Sequence, residues 1–156
     1  MLKKLIISGL ISAGVLFAYN PLDGVKAQKA EALKIVGQNF VTVQTLKKWM
    51  KEGNVKIVDV REGPEYMAGH IKGSVLIPRG VIYGAVKKGK IKPNQRIVTV
   101  CRTGHRALLA AATLKKWYKF DNVYVLKGGM KAWIKNGGVV VNAMKLGPVK
   151  INLISK

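Results

Sequence analysis

Cysteine, histidine and acidic residues are scarce in this chain: 156 residues contain one cysteine, two histidines and seven Asp and Glu residues. A single cysteine excludes an intramolecular disulfide, and so few Cys and His residues give no cluster with zinc-site spacing. No short repeat recurs and the apolar residues are spread along the chain, which excludes collagen-like, coiled-coil and fully disordered classes. The length fits one domain, and 49% apolar residues are enough for its core.

The amino terminus has the pattern of a secretory signal peptide. Lys3 and Lys4 precede an apolar run without charge over residues 5–18, and Val25 and Ala27 are small residues at the −3 and −1 places of a cleavage site. This run is shorter than the roughly 20 residues that span a bilayer. We therefore expect cleavage after Ala27 and a periplasmic or secreted protein. The alternative is an uncleaved signal, and only that form would be anchored in a membrane.

The formal charge of +21 comes from 23 lysines and five arginines against the seven acids. Such an excess raises three classes of partner: nucleic acid, a membrane surface or small anions. Export argues against nucleic acid, and lysines scattered over predicted helix faces favour ordinary solvated surface. The five arginines all lie between Arg61 and Arg106, and four of them follow predicted strand ends. Because the planar guanidinium suits oxoanions, this grouping favours a small anionic ligand.

From residue 40 onward, predicted strands alternate with predicted helices. Thr45 is a candidate N-cap for a helix ended by Gly53, and another helix begins near Ala107. The predicted strands are 40–43, 55–60, 75–77, 96–100 and 123–126, and further helical segments are 65–67, 79–86 and 130–135. This alternation predicts an α/β fold with a mainly parallel central sheet and helices on both faces. In such sheets the ligand site lies at the carboxyl ends of the strands.

The single cysteine, Cys101, falls at the carboxyl end of a predicted strand, just before a helix. Backbone N–H groups of such a loop can turn inward, and the helix start adds partial positive charge. Arg102 and Arg106 add full charges, His105 is a further candidate, and Gly104 permits the loop backbone. Each effect favours thiolate over thiol and would bind an anion or a persulfide. The alternative is a buried structural thiol, but an exported protein gains little from an idle thiol.

At this point the chain resembles the rhodanese-domain sulfurtransferases. The loop CRTGHR at 101–106 is similar to their active-site loop, and four other stretches follow in the family's order. These are DVR at 59–61, EY at 65–66 with GHI at 69–71 and GS at 73–74, IPRG at 77–80, and LKGGMKAW at 126–133. Single motifs of this kind are weak, but five at fitting spacing are specific. The resemblance covers about residues 40–141.

The resemblance implies a role for each residue of the loop. Cys101 would take a sulfane sulfur and hold it as a persulfide, and the backbone amides of Arg102, Thr103, Gly104, His105 and Arg106 would stabilise it. Arg102 and Arg106 would attract the anionic donor. No organic cofactor or metal is implied, because the covalent intermediate carries the sulfur. A loop of six residues resembles the sulfurtransferases, whereas the related phosphatases have one residue more, so phosphatase or arsenate reductase activity ranks lower.

Three residues outside the loop are supporting candidates. Asp59 is interpreted as a structural carboxylate that orders loops, together with Arg61. Arg79 either faces the site or caps a strand, and the sequence leaves both readings open. His70 is interpreted as a framework histidine.

The predicted organisation is a signal peptide at 1–27, a linker or loose helix at 28–39, a rhodanese-like domain at 40–141 and a tail of unknown role at 142–156. The predicted function is exported transfer of sulfane sulfur from a small anionic donor, thiosulfate or polysulfide, to a thiophilic acceptor or partner protein. The alternative is a noncatalytic sulfur carrier or anion-binding module that serves a partner.

Overall fold

The computed structural model describes residues 20–142 and residue 144. Within this part of the chain the strands are β1 (Phe40–Val41), β2 (Lys56–Asp59), β3 (His70–Ile71), β4 (Val75–Leu76), β5 (Ile97–Val100), β6 (Val123–Leu126) and β7 (Val140–Val141). The helices are α1 (Pro21–Val36), α2 (Val43–Lys51), α3 (Gly63–Ala68), α4 (Ile82–Lys87, after a 3₁₀ turn at Arg79–Val81), α5 (His105–Tyr118) and α6 (Gly129–Lys135).

Five parallel strands form the central sheet in the order β1-β6-β5-β2-β4, within the residues that the structure describes. β3 and β7 form a separate antiparallel pair. The strand order puts β5 in the middle of the sheet, with β6 and β2 on its two sides. The α/β fold expected from the sequence is confirmed.

Side chains of the strands alternate between two apolar layers, because successive residues of a strand point to opposite faces. Ile97 packs in the layer formed by α1, α4 and α5, whereas Val98 packs in the layer formed by α2 and α6. Helices therefore cover both faces of the sheet, as predicted.

Helix starts differ from their predicted places by a few residues. The N-cap of α2 is Thr42 rather than Thr45, because the Thr42 hydroxyl accepts a hydrogen bond from the Thr45 backbone N–H at 3.1 Å. Both threonines suit the position, and a local pattern cannot choose between them. α5 begins at His105, two residues before Ala107, with Gly104 as its N-cap.

The segment at 28–39, predicted as a linker or a loose helix, is largely helical, since α1 runs through it to Val36. α1 includes residues 28–36, and its Ala32 and Val36 are 3% and 2% exposed. These two residues lie one turn apart, so they share the helix face that packs in the layer of α5. Among residues 22–36 only these two side chains are fully buried, which is too weak a signal for sequence periodicity to detect.

The predicted cleavage site after Ala27 lies within α1, where the side chains of residues 22–31 are exposed. The rest of the predicted signal peptide, up to residue 19, lies outside the described residues, as does the predicted tail apart from residues 142 and 144. Among the helices of the described residues, none combines the length and apolarity that a bilayer crossing requires.

Candidate active site

Cys101 directly follows β5 at its carboxyl end and is 1% exposed. Its Sγ accepts hydrogen bonds from the backbone N–H groups of Gly104 at 3.1 Å and Ala107 at 3.4 Å. The first-turn amides of a helix have no partner within the helix itself. The sulfur therefore accepts from backbone donors around the start of α5, where the helix dipole is positive. This geometry favours negative charge on the sulfur.

Gly104 makes the turn into α5 possible. Its φ of 110° lies in the region that favours glycine, and this conformation directs its own N–H to Cys101 Sγ. The Gly104 carbonyl then accepts the first α5 bond from Leu108 N–H at 2.8 Å. This φ agrees with the prediction that Gly104 permits the loop backbone.

A second loop, from β6 into α6, holds the backbone of the cysteine loop. Met130 N–H donates to the Cys101 carbonyl at 2.8 Å, and Lys131 N–H donates to the Arg102 carbonyl at 3.1 Å. Gly129, which directly precedes Met130, has φ 58°, and a Cβ on it would overlap the Cys101 carbonyl oxygen. In the sequence this glycine was recognisable only as part of a turn and a family motif. The signal available in the sequence was the glycine pair at 128–129, which follows the predicted strand 123–126.

Arg106 is bound by a carboxylate rather than free at the loop mouth. Its Nη1 and Nη2 donate to the two oxygens of Glu65, each at 2.7 Å. These hydrogen bonds lower the pKa of Glu65 to about 2 and raise the pKa of Arg106. The sequence predicted that the Arg106 charge would be open to a sulfur donor. In the structure Arg106 is instead paired with Glu65, and about a third of each side chain is exposed. Glu65 is thus a positioning residue that the sequence indicated only within a motif.

Asp59 and Arg61 form a buried ion pair at the carboxyl end of β2. Arg61 Nη2 donates to Asp59 Oδ2 at 2.6 Å and to the Gly69 carbonyl at 2.8 Å, and the Arg61 backbone N–H donates to Asp59 Oδ1. The two side chains are 1% and 8% exposed. This is the geometry of a framework pair that orders the segment after β2, in line with the structural interpretation of Asp59. Arg61, the other supporting candidate, has its guanidinium bound to Asp59 in this pair.

The remaining candidates are placed differently. Arg102 and Thr103 are exposed in the loop, and His105 is half-buried, with its Nε2 buried and without a hydrogen-bond partner in the described residues. Arg79 lines a groove between α1 and α5, with residues such as Leu109 rather than with the cysteine loop. Its carboxyl-edge position suggested a place at the site, but the 3₁₀ turn after β4 directs it elsewhere. Across residues 20–142 and residue 144, no three His, Cys, Asp or Glu side chains are grouped as a metal site requires.

The structure thus defines an α/β protein in which a buried thiol accepts backbone hydrogen bonds where a parallel strand runs into a helix. Residues 42–136 match the sequence profile of the rhodanese-like domain. The chain belongs to this family, and its matched part is a single domain.

Individual relatives agree with this assignment. The chain is 32% identical over 118 residues to a probable adenylyltransferase/sulfurtransferase, MoeZ, of Mycobacterium tuberculosis, covering 75% of this chain and 29% of that protein. It is 36% identical over 80 residues to a putative sulfur carrier protein, YrkF, of Bacillus subtilis, covering 51% of this chain and 42% of that protein. The chain thus spans less than half the length of these relatives.

A solved structure from Rhodopseudomonas palustris, described as a possible tyrosine phosphatase of unknown function, is similar over nearly its whole length. The TM-score is 0.64 at 26% identity, covering 88% of this chain and 98% of that one.

Proposed function

We propose that this protein is an exported sulfurtransferase that carries sulfane sulfur as a persulfide on Cys101. The donor is a small anion, thiosulfate or polysulfide, and the acceptor is a thiophile. One observation carries the proposal: the sulfur of the only cysteine accepts hydrogen bonds from the Gly104 and Ala107 backbone amides. Membership of the rhodanese-like family, with relatives named sulfurtransferase and sulfur carrier, supports it.

The chemistry consists of two displacements on sulfur. The Cys101 thiolate attacks the outer sulfur of thiosulfate, the S–S bond of thiosulfate breaks, and sulfite leaves with the electron pair. The Cys101 persulfide then forms and keeps one negative charge. A thiophile such as cyanide attacks the terminal sulfur, thiocyanate leaves, and the thiolate returns. Backbone N–H donors that stabilise thiolate also suit the persulfide anion, because both carry negative charge at this place.

The test is thiocyanate formation from thiosulfate and cyanide, together with the intact mass of protein treated with thiosulfate alone. We expect turnover and a mass gain of one sulfur atom on wild-type protein, with both lost in Cys101→Ser. Serine oxygen can still accept from Gly104 and Ala107, so this variant should keep its fold by circular dichroism. Retained transfer in Cys101→Ser, or no sulfur adduct on folded wild type, contradicts the proposal.

A noncatalytic sulfur carrier is the second candidate function, and the Arg106–Glu65 pair favours it. An arginine already bound at both nitrogens by a carboxylate is less available to bind a donor. A carrier would accept sulfur on Cys101 once and deliver it to a partner, without steady-state thiocyanate formation. A sulfur adduct without turnover therefore assigns the carrier function. Hydrolysis of p-nitrophenyl phosphate that depends on Cys101 would instead assign a phosphatase.

Export is proposed from the sequence of residues 1–27. The placement of the fully buried α1 residues supports it: Ala32 and Val36 follow the expected cleavage point, so a chain starting at Gln28 retains both core contacts. Sequencing the amino terminus of the native protein should give a start near Gln28 in the extracytoplasmic fraction. An intact Met1 in the soluble cytoplasmic fraction contradicts export.

A further inference from the structure

Three exposed cations lie beside the entrance to Cys101. Arg102 follows β5, Lys127 follows β6, and Lys131 lies in the first turn of α6. We call these three residues the cationic rim. Because β5 and β6 are parallel neighbours, paired at Thr99 and Val125, their following segments emerge at the same sheet edge as Cys101.

Backbone hydrogen bonds join two of the three rim residues, Arg102 and Lys131, at the cysteine loop. Lys131 N–H donates to the Arg102 carbonyl at 3.1 Å, and the adjacent Met130 N–H donates to the Cys101 carbonyl at 2.8 Å. The rim therefore sits on the two segments whose backbones are directly bonded at the site. The fold also sets the backbone position of Lys127, whose N–H donates to the Val41 carbonyl of β1 at 2.9 Å.

The side chains of the rim are available to a partner. Within residues 20–142 and residue 144, none of the three forms an ion pair or a side-chain hydrogen bond. Arg61 and Arg106, at the same sheet edge, are each bound by a carboxylate. Cationic side chains without intramolecular partners, carried on a fixed backbone near the cysteine, indicate a surface that attracts an external anion.

Acidic residues on the other side of the site offset only part of this charge. Glu65 is paired with Arg106, and Asp59 is paired with Arg61. Glu62 is exposed and leaves one negative charge at this edge. Three rim cations against one unpaired carboxylate leave the entrance positive.

The burial of Cys101 Sγ indicates that an anion bound at the exposed rim lysines is larger than thiosulfate. Cys101 is 1% exposed, so a small donor that reaches Sγ lies inside the loop, against its amides. Exposed Lys127 and Lys131 side chains lie outside that loop, where they can contact a body larger than thiosulfate. Resting on the proposed sulfur transfer, we propose that the sulfur acceptor is an acidic polypeptide with a thiol on an extended segment, docked on the cationic rim.

The transfer step balances without a further oxidant or reductant. The acceptor thiolate attacks the terminal sulfur of the Cys101 persulfide, and the S–S bond to Cys101 breaks. Cys101 leaves as a thiolate with the electron pair, and the acceptor becomes the persulfide. The extended segment is required because a thiol on a flat, folded surface could not reach a buried sulfur.

The experiment uses full-length protein loaded with thiosulfate and freed of excess donor. Two synthetic peptides carry one cysteine each, one flanked by aspartate and glutamate and the other by asparagine and glutamine. Sulfur passed to each peptide is followed by mass. The variants are Lys127→Gln/Lys131→Gln and the control Lys87→Gln/Lys88→Gln. The control lysines are also exposed, but they lead from α4 to the start of β5 and so lie toward the opposite sheet edge.

We expect wild type and the Lys87/Lys88 control to transfer sulfur to the acidic peptide about tenfold faster than to the neutral peptide at low salt, the low end of electrostatic steering. The Lys127/Lys131 variant should lose most of this ratio while loading normally with thiosulfate. Comparing ratios between proteins cancels any difference in the intrinsic reactivity of the two peptide thiols.

Equal ratios for the Lys127/Lys131 variant and wild type overturn the proposal. Binding of each protein to vesicles containing phosphatidylglycerol is measured as well. If the Lys127/Lys131 variant loses only this vesicle binding and keeps the peptide ratio, the proposal is also overturned, and the rim is assigned to a membrane surface. Failure of wild type to load a sulfur atom at all contradicts the proposed function instead, so the two failures are distinguishable.

Discussion

Gly129 lies against the backbone of Cys101 so closely that any side chain on Gly129 would collide with the Cys101 carbonyl oxygen. The glycine also has a left-handed backbone, with φ 58°. Its neighbour Met130 donates its N–H to that same carbonyl. The orientation of the peptide group beside the nucleophile is therefore set by a residue from the next strand's loop.

Gly129→Ala should destabilise the protein and reduce sulfur transfer. The left-handed backbone costs about 1–2 kcal/mol for alanine, and the collision should cost about 1–3 kcal/mol more. The control is Gly137→Ala, because Gly137 has φ 64° but no atom within 4 Å of the position that an alanine Cβ would take. Urea unfolding and thiocyanate formation measure the two effects. Equal losses in both variants would show that the contact with Cys101 is unimportant.

Glu65→Gln should remove a pH-dependent part of the stability. The Arg106 hydrogen bonds lower the pKa of Glu65 to about 2, from an ordinary value of 4.5. The wild-type advantage is therefore fully present above about pH 4.5 and is lost as the pH falls toward about 2. Because the pair is a third exposed, solvent screens it, and the advantage should be about 0.5–1 kcal/mol.

Urea unfolding at about pH 6 and about pH 2.5 measures this difference. The control is Asp121→Asn, an exposed carboxylate for which the described residues show no side-chain ion pair. A stability gap between wild type and Glu65→Gln that stays constant with pH would rule out the charge of Glu65 as its source.

Salt should slow the loading of Cys101 by thiosulfate more than its alkylation by iodoacetamide. A formal charge of +21 attracts the dianion over long range, whereas iodoacetamide is neutral. Screening shortens the field to about 8 Å at physiological ionic strength. Rates for both reagents at about 0.05 M and about 0.3 M salt test this. Equal salt sensitivity would mean that the lysine excess is ordinary surface charge.

Val36→Ala should destabilise the protein by about 2 kcal/mol, because it removes two buried methyl groups from the layer that α1 shares with α5. Leu33→Ala is the matched control on the same helix, since Leu33 is 41% exposed. It should change the unfolding free energy by less than about 0.5 kcal/mol. Similar effects of both substitutions would show that α1 does not belong to the folded core.

The sequence by itself was sufficient to predict the parallel α/β fold and the place of Cys101 at the carboxyl end of a strand. Residues 97–100 are apolar apart from Thr99 and lead directly to Cys101, Arg102 and a glycine before a helix. These are local features, since strand burial, turn chemistry and helix starts depend on neighbours a few residues away.

Only the tertiary structure decided which groups meet at the site. Glu65 and Arg106 are 41 positions apart in the chain, and their pairing depends on how the segments after β2 and β5 converge at one sheet edge. Gly129 and Lys131 reach the cysteine loop because β6 lies beside β5, and α1 packs against α5 with Ala32 and Val36 in the shared layer. Contacts between distant segments depend on strand order and helix packing, which no local pattern of residues specifies.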